Sequence, residues 1–506
     1  MEKILNISSY RKIKVPGKLI ILTSVFLVFA VIYCLLSLVN HCLYRTGALD
    51  LGMFNHAIYS FSHLKMNYFT LDVWGNEINY FGDHFSPITI LLSPFYYIFG
   101  SYSLLIIQVI FILLGGLGIY KYASLSHSRT YIPVLLTIQF FSIWGIYSAL
   151  AFDFHNNVIA AMFVPWLFYF YEKANKKSFL LFFVLILISK ENMALWMGFI
   201  LIGLIVKRLM AEKGKIQVKE LLKFEIPLIV ISFLYFILIV GIVMPLIRHG
   251  QGSDQLGRYA LLGSTMPEIF SKLFQNPKYV FSILFESPLK DGVGFGIKSE
   301  LHFLILVSGG FALLYRPYYL VMLIPIYAQK LLTGDFFYWG INGQYSIEFV
   351  PILSLCLSDF LATRKSTKTA YGITIVTIIS TLYFTFSSIE KNSGLWYDKT
   401  NSAFYSKIHY RSPLNISEIN NTLTTLPDDA IISVSSVLSP HVAFRDKIYL
   451  FPVIKDATYI VLLTSNGGTY PLNETDFLKK VDELLKDDKY EVKYRKNDLL
   501  ILKRKN

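Results

Sequence analysis

Long apolar runs, separated by short polar turns, dominate the first 387 residues of the chain. A helix needs about 20 apolar residues to cross about 30 Å of hydrocarbon. The pattern predicts about eleven transmembrane helices, several of them short, near residues 19–40, 103–120, 131–148, 156–171, 178–189, 193–206, 224–246, 301–315, 317–331, 347–362 and 370–387. The first run is too long for a signal peptide and lacks a small-x-small cleavage site, so we interpret it as a retained span.

The apolar run at residues 86–100, SPITILLSPFYYIFG, does not fit this series. At 1.5 Å per residue it reaches only about 22 Å. It also contains Pro87 and Pro94, which interrupt helices. We interpret it as an interfacial or half-inserted helix within an external loop that covers residues 41–102.

After Phe386 the pattern changes to that of a soluble protein. Short β-branched runs at 430–437, 447–453 and 458–464 predict strands, 477–485 predicts a helix, and 490–506 resembles a closing hairpin. The whole chain is therefore predicted to be an α-helical polytopic membrane protein with a small extracytoplasmic α/β domain at residues 388–506.

The composition agrees with a membrane protein, and the placement of charge orients it. The chain is 54% hydrophobic and 16% charged, with a formal charge of +13. The tail and loops on the same side of the membrane as the N-terminus hold 20 Lys and Arg in about 59 residues, whereas the loops between spans on the opposite side hold 9 in about 142. Because cytoplasmic loops accumulate basic residues, we predict a multi-pass plasma-membrane protein with a cytoplasmic tail at residues 1–18. This placement accounts for the basic excess without a nucleic-acid partner.

With this orientation, nearly all the unusual polar residues lie on the external side. Such groups near a membrane are costly unless they pair or face water, so they predict a functional cavity that opens outward. The predicted substrate-binding residues are His56, Asp83, His84, Asp153, His155, Lys190, Glu191, Arg258, Tyr259, Gln344 and Tyr345.

Asp50 is the candidate for acid–base chemistry. It lies in the segment GALDLGMF, with apolar neighbours on both sides and with Gly47 and Gly52 nearby, which allow the backbone to approach a ligand closely. The alternative is that Asp50 caps the helix expected from Leu51 to Ser62.

The other polar groups have more than one interpretation. A divalent metal is one possibility, with the candidate ligands Asp50, Asp83, His84, Asp153 and His155. The evidence is limited to two His–carboxylate pairs, whose spacing in the sequence does not otherwise indicate a metal site. Lys190 either binds phosphate or neutralises the adjacent Glu191 at the membrane edge. The loop that carries Arg258 either binds a ligand or is an exposed linker. The three cysteines match neither a disulfide framework nor a metal-ligand spacing.

Several motifs closely resemble a family of prokaryotic predicted membrane proteins of unknown function. They are DLGMFNHAIYS, GDHFSPITILLSPFYYIFG, DFHNN, KENMAL, GQYSIEFVPIL and VLSPHVAFRDKIYLFP, and the likeness extends from about residue 40 to the C-terminus. By remote similarity that family is placed near the GT-C class of integral membrane glycosyltransferases.

This resemblance implies a fold and a reaction. GT-C enzymes carry an essential Asp or Glu in the first external loop, followed by juxtamembrane helices, and take sugars from polyprenyl-phosphate carriers. Asp50 and residues 86–100 lie at the matching places. The expected function is therefore inverting transfer of a sugar from a polyprenyl-phosphate donor to a glycan, lipid or protein acceptor at the outer membrane face.

Two other classes of function remain open from the sequence. A transporter or flippase for a lipid-linked or polar solute usually shows inverted repeats and polar residues at mid-membrane. The chain shows no such duplication, and its polar groups lie at one face. A non-catalytic envelope assembly protein would tolerate single replacements of the polar loop residues.

Overall fold

The computed structural model describes residues 15–128, 130–211, 218–248, 257–289, 292, 294–391, 399–465 and 468–505. Residues 1–14, most of the predicted cytoplasmic tail, lie outside this part of the chain. The described residues are mostly helical, with strands in the first loop and near the C-terminus.

One long helix and an irregular loop form the N-terminal part. Its elements are α1 Val15–Cys42, α2 Met53–Ser62, β1 Tyr68–Phe69, β2 Ile78–Asn79, α3 Tyr80–Asp83, α4 Ile88–Leu92 and α5 Tyr96–Phe99. β1 and β2 pair antiparallel. Short α and 3-10 turns make up the run expected to be an interfacial helix, because Pro94 starts a new turn and Gly100 adopts a positive φ.

Helices of varied length form the central part of the chain. They are α6 Ser103–His127, α7 Ile132–Ser142, α8 Trp144–Phe152, α9 Asn156–Glu172, α10 Lys176–Leu187, α11 Met193–Ala211, α12 Val218–Lys223, α13 Glu225–Leu238, α14 Met244–Arg248, α15 Met266–Gln275, α16 Pro277–Ile283, α17 Ile297–Val307, α18 Tyr318–Leu331, α19 Phe349–Leu361 and α20 Thr367–Lys391.

Fewer helices than predicted are long and apolar enough to cross a membrane by themselves. Among the described residues there are five such stretches, and the pair α7 and α8, bent by 43°, makes a sixth if it counts as one span. They are Gly17–Cys42, Ile88–His127, Met193–Ala211, Glu225–Arg248 and Thr367–Glu390. The other predicted spans contain shorter helices, such as α18 and α19. The chain is thus a helical membrane protein whose described residues include five to six span-length helices.

A five-stranded sheet lies in the C-terminal segment, which we define as residues 399–505. Its elements are α21 Lys399–Ser402, α22 Ile416–Leu423, β3 Ile432–Val434, α23 Ser439–Val442, β4 Ile448–Leu450, β5 Tyr459–Leu463, α24 Glu474–Lys486, β6 Tyr490–Lys496 and β7 Leu499–Arg504. The strand order is β4-β3-β5-β7-β6. β3 runs parallel to β4 and β5, whereas β7 is antiparallel to β5 and β6. The strands predicted from the β-branched runs are therefore present.

The C-terminal segment packs directly on the first loop. Tyr44, Ala48 and Leu71 from that loop are buried in the same hydrophobic cluster as residues of β3, β4 and β7. A separate, larger core joins α1 and α2 to the central helices. The first loop is thus enclosed between the central helices and the sheet, and this arrangement positions the polar residues described next.

Candidate functional site

Asp50 lies at the centre of a tight turn between α1 and α2. The turn covers Ala48–Gly52, and Asp50 has φ 88° and ψ −101°, a conformation that L-residues rarely adopt. The N-cap of α2 is Gly52, and no side chain caps this helix. About a quarter of the Asp50 side chain, 26%, remains exposed.

His155 holds the carboxylate of Asp50. Its Nε2 lies 3.1 Å from Oδ1 of Asp50, while the imidazole itself is only 3% exposed. The backbone that carries His155 is fixed by Gln108, whose amide donates to the Asp153 carbonyl and accepts from the His155 amide, both at 3.0 Å. The buried imidazole thus lies behind Asp50, and Asp50 is the more exposed member of the pair.

Asp153 holds the turn itself. Its Oδ2 accepts a hydrogen bond from the Gly47 amide at 3.3 Å. Oδ1 of Asp153 is buried without a partner among the described residues. The contacts make Asp153 a positioning residue for the backbone around Asp50.

Burial and nearby charges shift the pKa values of Asp50 and Asp153 in opposite directions. Burial alone raises the pKa of Asp50, but His155, His84 and Lys190 together outweigh burial and hold this pKa below its usual value. Burial, and then the charge of Asp50, raise the pKa of Asp153 well above the usual range. Asp50 is therefore the carboxylate that stays ionised, and Asp153 the one that tends to keep its proton.

A second Asp–His pair lies beside the first. Nδ1 of His84 lies 2.5 Å from Oδ2 of Asp83. Burial opposes ionisation of Asp83, but His84, Arg248 and Lys190 lower its pKa to about 2. Because His84 and Lys190 also act on Asp50, the two pairs belong to one electrostatic group.

Glu191 has a backbone partner in the described structure. Its Oε2 accepts a hydrogen bond from the Phe85 amide at 3.1 Å, which ties the segment after α10 to the segment before α4. The ion pairs among the described residues do not include one between Lys190 and Glu191. Lys190 instead acts electrostatically on Asp50 and Asp83.

The loop before α19 brings further candidates to this side of the molecule. The Asn157 amide donates to the Gln344 carbonyl at 3.4 Å and to Oε1 of Glu348 at 2.9 Å. The side-chain oxygens of Asn157, Asn342 and Gln344 are buried without hydrogen-bond partners among the described residues. Buried acceptors of this kind are ready to bind hydroxyl donors.

An aromatic group connects this loop to Arg258. The guanidinium of Arg258 stacks on the ring of Tyr338 at 4.8 Å, and the rings of Tyr338 and Tyr345 are 4.4 Å apart. Burial raises the pKa of Tyr345 far above its usual value, and the charge of Asp50 adds to this effect. Tyr259 donates instead to the Gln329 carbonyl at 3.3 Å.

His56 has a different environment from the other predicted binding residues. Its Nδ1 lies 3.1 Å from the side-chain nitrogen of Asn67, and burial lowers its pKa to about 4. The backbone of Asp446 and Arg445 and the charge of Asp446, all in the C-terminal segment, oppose this lowering of the pKa only in part. The structure therefore places His56 in the packing between α2 and the C-terminal segment.

The sequence-based candidates omitted residues of the C-terminal segment that support the Asp50 turn. Ser436 accepts a hydrogen bond from the Ala48 amide at 3.1 Å, and the Pro440 carbonyl accepts one from Asn55 at 2.9 Å. The ring of His441 stacks on that of His41 at 4.0 Å. All three lie in VLSPHV or next to it, and this stretch is one of the motifs that carry the family resemblance, which is the signal that could have found them.

The polar groups do not assemble into a metal site. Within the part of the chain that the structure describes, no group of three or more His, Cys, Asp or Glu side chains could hold a metal ion. The candidates Asp50, His155, Asp83 and His84 form two separate pairs. The donor set therefore does not fit a resident divalent ion.

The fold and this site define a multi-span membrane protein with a polar group at the ends of its helices, covered by a C-terminal sheet. The chain belongs to the family described as "Predicted membrane protein (DUF2079)", whose sequence model matches residues 40–500. No curated protein matches the chain.

Proposed function

We propose that this protein is an inverting membrane glycosyltransferase that takes its sugar from a polyprenyl-phosphate donor. One observation carries the proposal: the partly exposed carboxylate of Asp50 is held by His155 within a group that also contains His84 and Lys190. Inverting transfer needs a base for the acceptor hydroxyl and cationic groups for the departing phosphate, and this group provides both kinds of residue.

In this mechanism Asp50 removes the proton of the acceptor hydroxyl. Its low pKa keeps it ionised at neutral pH, and His155 fixes the direction of its carboxylate. Asp153 fixes the turn through the Gly47 amide. This assigns His155 to positioning Asp50, because its buried ring is already engaged with that carboxylate.

The remaining residues bind the two ends of the donor. Lys190, His84 and Arg258 neutralise the phosphate of the lipid carrier as it leaves. The unpartnered oxygens of Asn157 and Gln344 accept hydrogen bonds from sugar hydroxyls.

The proposed site also requires a particular arrangement of the helices in the membrane. The shorter helices cross the membrane together with the span-length ones, giving about eleven spans in the plasma membrane, with the N-terminus in the cytoplasm and the C-terminal segment outside. Residues 86–100 lie at the outer interface, where the exposed side chains of Leu91, Tyr97 and Ile98 contact the prenyl chain. The excess of Lys and Arg on the opposite side supports this orientation.

The test is Asp50→Asn in proteoliposomes supplied with polyprenyl-phosphate sugars from a native membrane extract. Loss of the base is expected to reduce sugar transfer by a factor of about 10² or more. Asp482→Asn, the same change at an exposed position of α24, is the matched control and should keep full activity.

A second variant separates chemistry from folding. Asp50→Gly removes the carboxylate and also relieves the positive φ, so this variant should unfold at the same temperature as the native protein or higher, and still be inactive. Full transfer activity in either Asp50 variant, in well-folded protein, would eliminate Asp50 as the base.

A further inference from the structure

A polar cavity of about 280 Å³ lies at the end of the helices far from Asp50. It forms where α6 ends, α7 begins, α19 ends and α20 begins. Since α6 starts next to the first loop and has 25 residues, this cavity is roughly 35 Å from the Asp50 group. Its polar lining includes Ser126, His127, Ser128, Thr130, Arg364 and Thr367.

The lining offers donors and positive charge but no acid. No Asp or Glu is among the described residues that line the cavity. The guanidinium of Arg364 lies over the ring of Phe360 at 4.4 Å and donates to the Thr363 hydroxyl, and within the described part of the chain no carboxylate forms an ion pair with it. A solvent-facing guanidinium on an aromatic ring is held in one direction while its remaining N–H groups stay available.

The imidazole of His127 is a second group in the cavity that can bind a ligand. Its Nε2 is buried and has no hydrogen-bond partner among the described residues, although the Ser358 backbone acts electrostatically on the ring. The nearby Asp359 is already engaged, since it accepts hydrogen bonds from Tyr122, Tyr318 and Tyr319. A buried ring nitrogen without a partner costs free energy unless a ligand or water meets it.

Two further features add positive potential at this place. α20 begins at Thr367, which lines the cavity, so the positive end of the helix dipole lies beside it. Lys18 from the start of α1 donates to the Ser128 carbonyl at 3.2 Å, which brings a third basic residue close to Arg364 and His127. Hydroxyls and a guanidinium together form a binding set for phosphate.

We propose that this cavity binds the phosphate group of an anionic phospholipid headgroup. The cavity lies at the ends of apolar helices, where headgroups of the surrounding bilayer are located. Arg364 pairs with the phosphate oxygens, and His127 and the hydroxyls complete its hydrogen bonds. This site is separate from the proposed transfer reaction and does not depend on it.

The experiment compares full-length protein in nanodiscs of pure phosphatidylcholine and of phosphatidylcholine with phosphatidylglycerol. Phosphatidylglycerol should raise the thermal unfolding midpoint, and native mass spectrometry should detect one retained copy of this lipid. Arg364→Gln should weaken its binding by roughly tenfold, because one charge-assisted contact is lost. His127→Gln provides a second variant, with the ring removed and the charge of Arg364 kept.

The matched control is Arg495→Gln, the same change at an exposed position of β6 in the C-terminal sheet. The proposal would be overturned if Arg364→Gln bound phosphatidylglycerol as tightly as the native protein does. It would also be overturned if Arg495→Gln weakened this binding as much as Arg364→Gln does. A third arm adds inorganic phosphate to pure phosphatidylcholine nanodiscs. If phosphate stabilises the protein as much as phosphatidylglycerol does, the lipid assignment is wrong and the ligand is a soluble phosphate.

Discussion

Asp50 holds its unusual backbone conformation because contacts from two distant parts of the chain, residues 153–155 and Ser436, enclose it. Asp153 binds the Gly47 amide, Ser436 binds the Ala48 amide, and His155 binds the carboxylate. Such conformations cost about 1–3 kcal/mol and persist only where surrounding contacts over-determine them. The stored strain and the exposed carboxylate together are typical of a site under functional constraint.

The contact between Asp50 and His155 leads to a prediction about pH dependence. Asp50 acts as a base only when deprotonated, and His155 helps to lower its pKa. In His155→Gln a hydrogen-bond donor remains but the positive charge is lost, so the pKa of Asp50 should rise. The acid limb of kcat/KM for sugar transfer, measured between pH 3 and 8, should then move up by about one pH unit or more.

The control for this prediction is another buried histidine outside the Asp50 group. His56 contacts Asn67, and the residues that act on its pKa are Asp446 and Arg445 of the C-terminal segment. His56→Gln should therefore leave the acid limb where it is in the native protein. An unchanged limb in His155→Gln would show that His155 does not set the protonation of the base.

The helices and strands were largely predictable, whereas the contacts between them were not. Apolar runs and β-branched runs predicted the location of most elements because their patterns are local. The breaks within them depend on tertiary packing: α7 and α8 form one apolar run, yet the chain bends by 43° between them. The pairing of Asp50 with His155 joins residues 105 positions apart, and no local pattern records it.

The same limit applies to the close packing of the Asp50 turn on α23. A Cβ added at Gly52 would lie 2.7 Å from Oγ of Ser439 and 3.3 Å from the Gly47 carbonyl oxygen. The glycine at residue 52 was expected to let the backbone approach a ligand. In the structure it lets the C-terminal segment approach the turn.

This packing predicts the effect of a single methyl group. Gly52→Ala should destabilise the protein by about 1–3 kcal/mol, because the serine hydroxyl or the turn must move. Thermal unfolding in detergent measures this loss, and limited proteolysis should show faster cleavage of the C-terminal segment.

A double mutant tests the stated cause. Ser439→Ala removes the atom nearest to the added methyl, so Gly52→Ala with Ser439→Ala should be more stable than the sum of the two single changes predicts. Recovery should be partial, since the contact with the Gly47 carbonyl remains. Strict additivity of the two changes would show that the clash with Ser439 is not the cause.

At the scale of the whole molecule, polar chemistry is concentrated at both ends of the helices. The Asp50 group lies at the end covered by the C-terminal sheet, and the cavity with Arg364 lies at the other. Between them, hydrophobic clusters fill the interior. The loops between the predicted spans differ in charge in the same way, because Lys and Arg are abundant only in the loops on the side of the N-terminus.

The orientation in the membrane decides which side the Asp50 group and the cavity each face, and single cysteines can test it. The native cysteines Cys34, Cys42 and Cys356 are first replaced by alanine. Lys479→Cys then places a thiol at an exposed position of α24, and Lys368→Cys places one at an exposed position beside the cavity. With the C-terminal segment outside, a membrane-impermeant maleimide should label Lys479→Cys in intact cells and Lys368→Cys only after permeabilisation. The two variants carry the same substitution, so a difference in labelling reports the side of the membrane.

If the labelling pattern were reversed, the Asp50 group would face the cytoplasm, where sugars are available from soluble nucleotide donors. The case for a polyprenyl-phosphate donor at the outer face would then lose its basis, even if Asp50 proved essential.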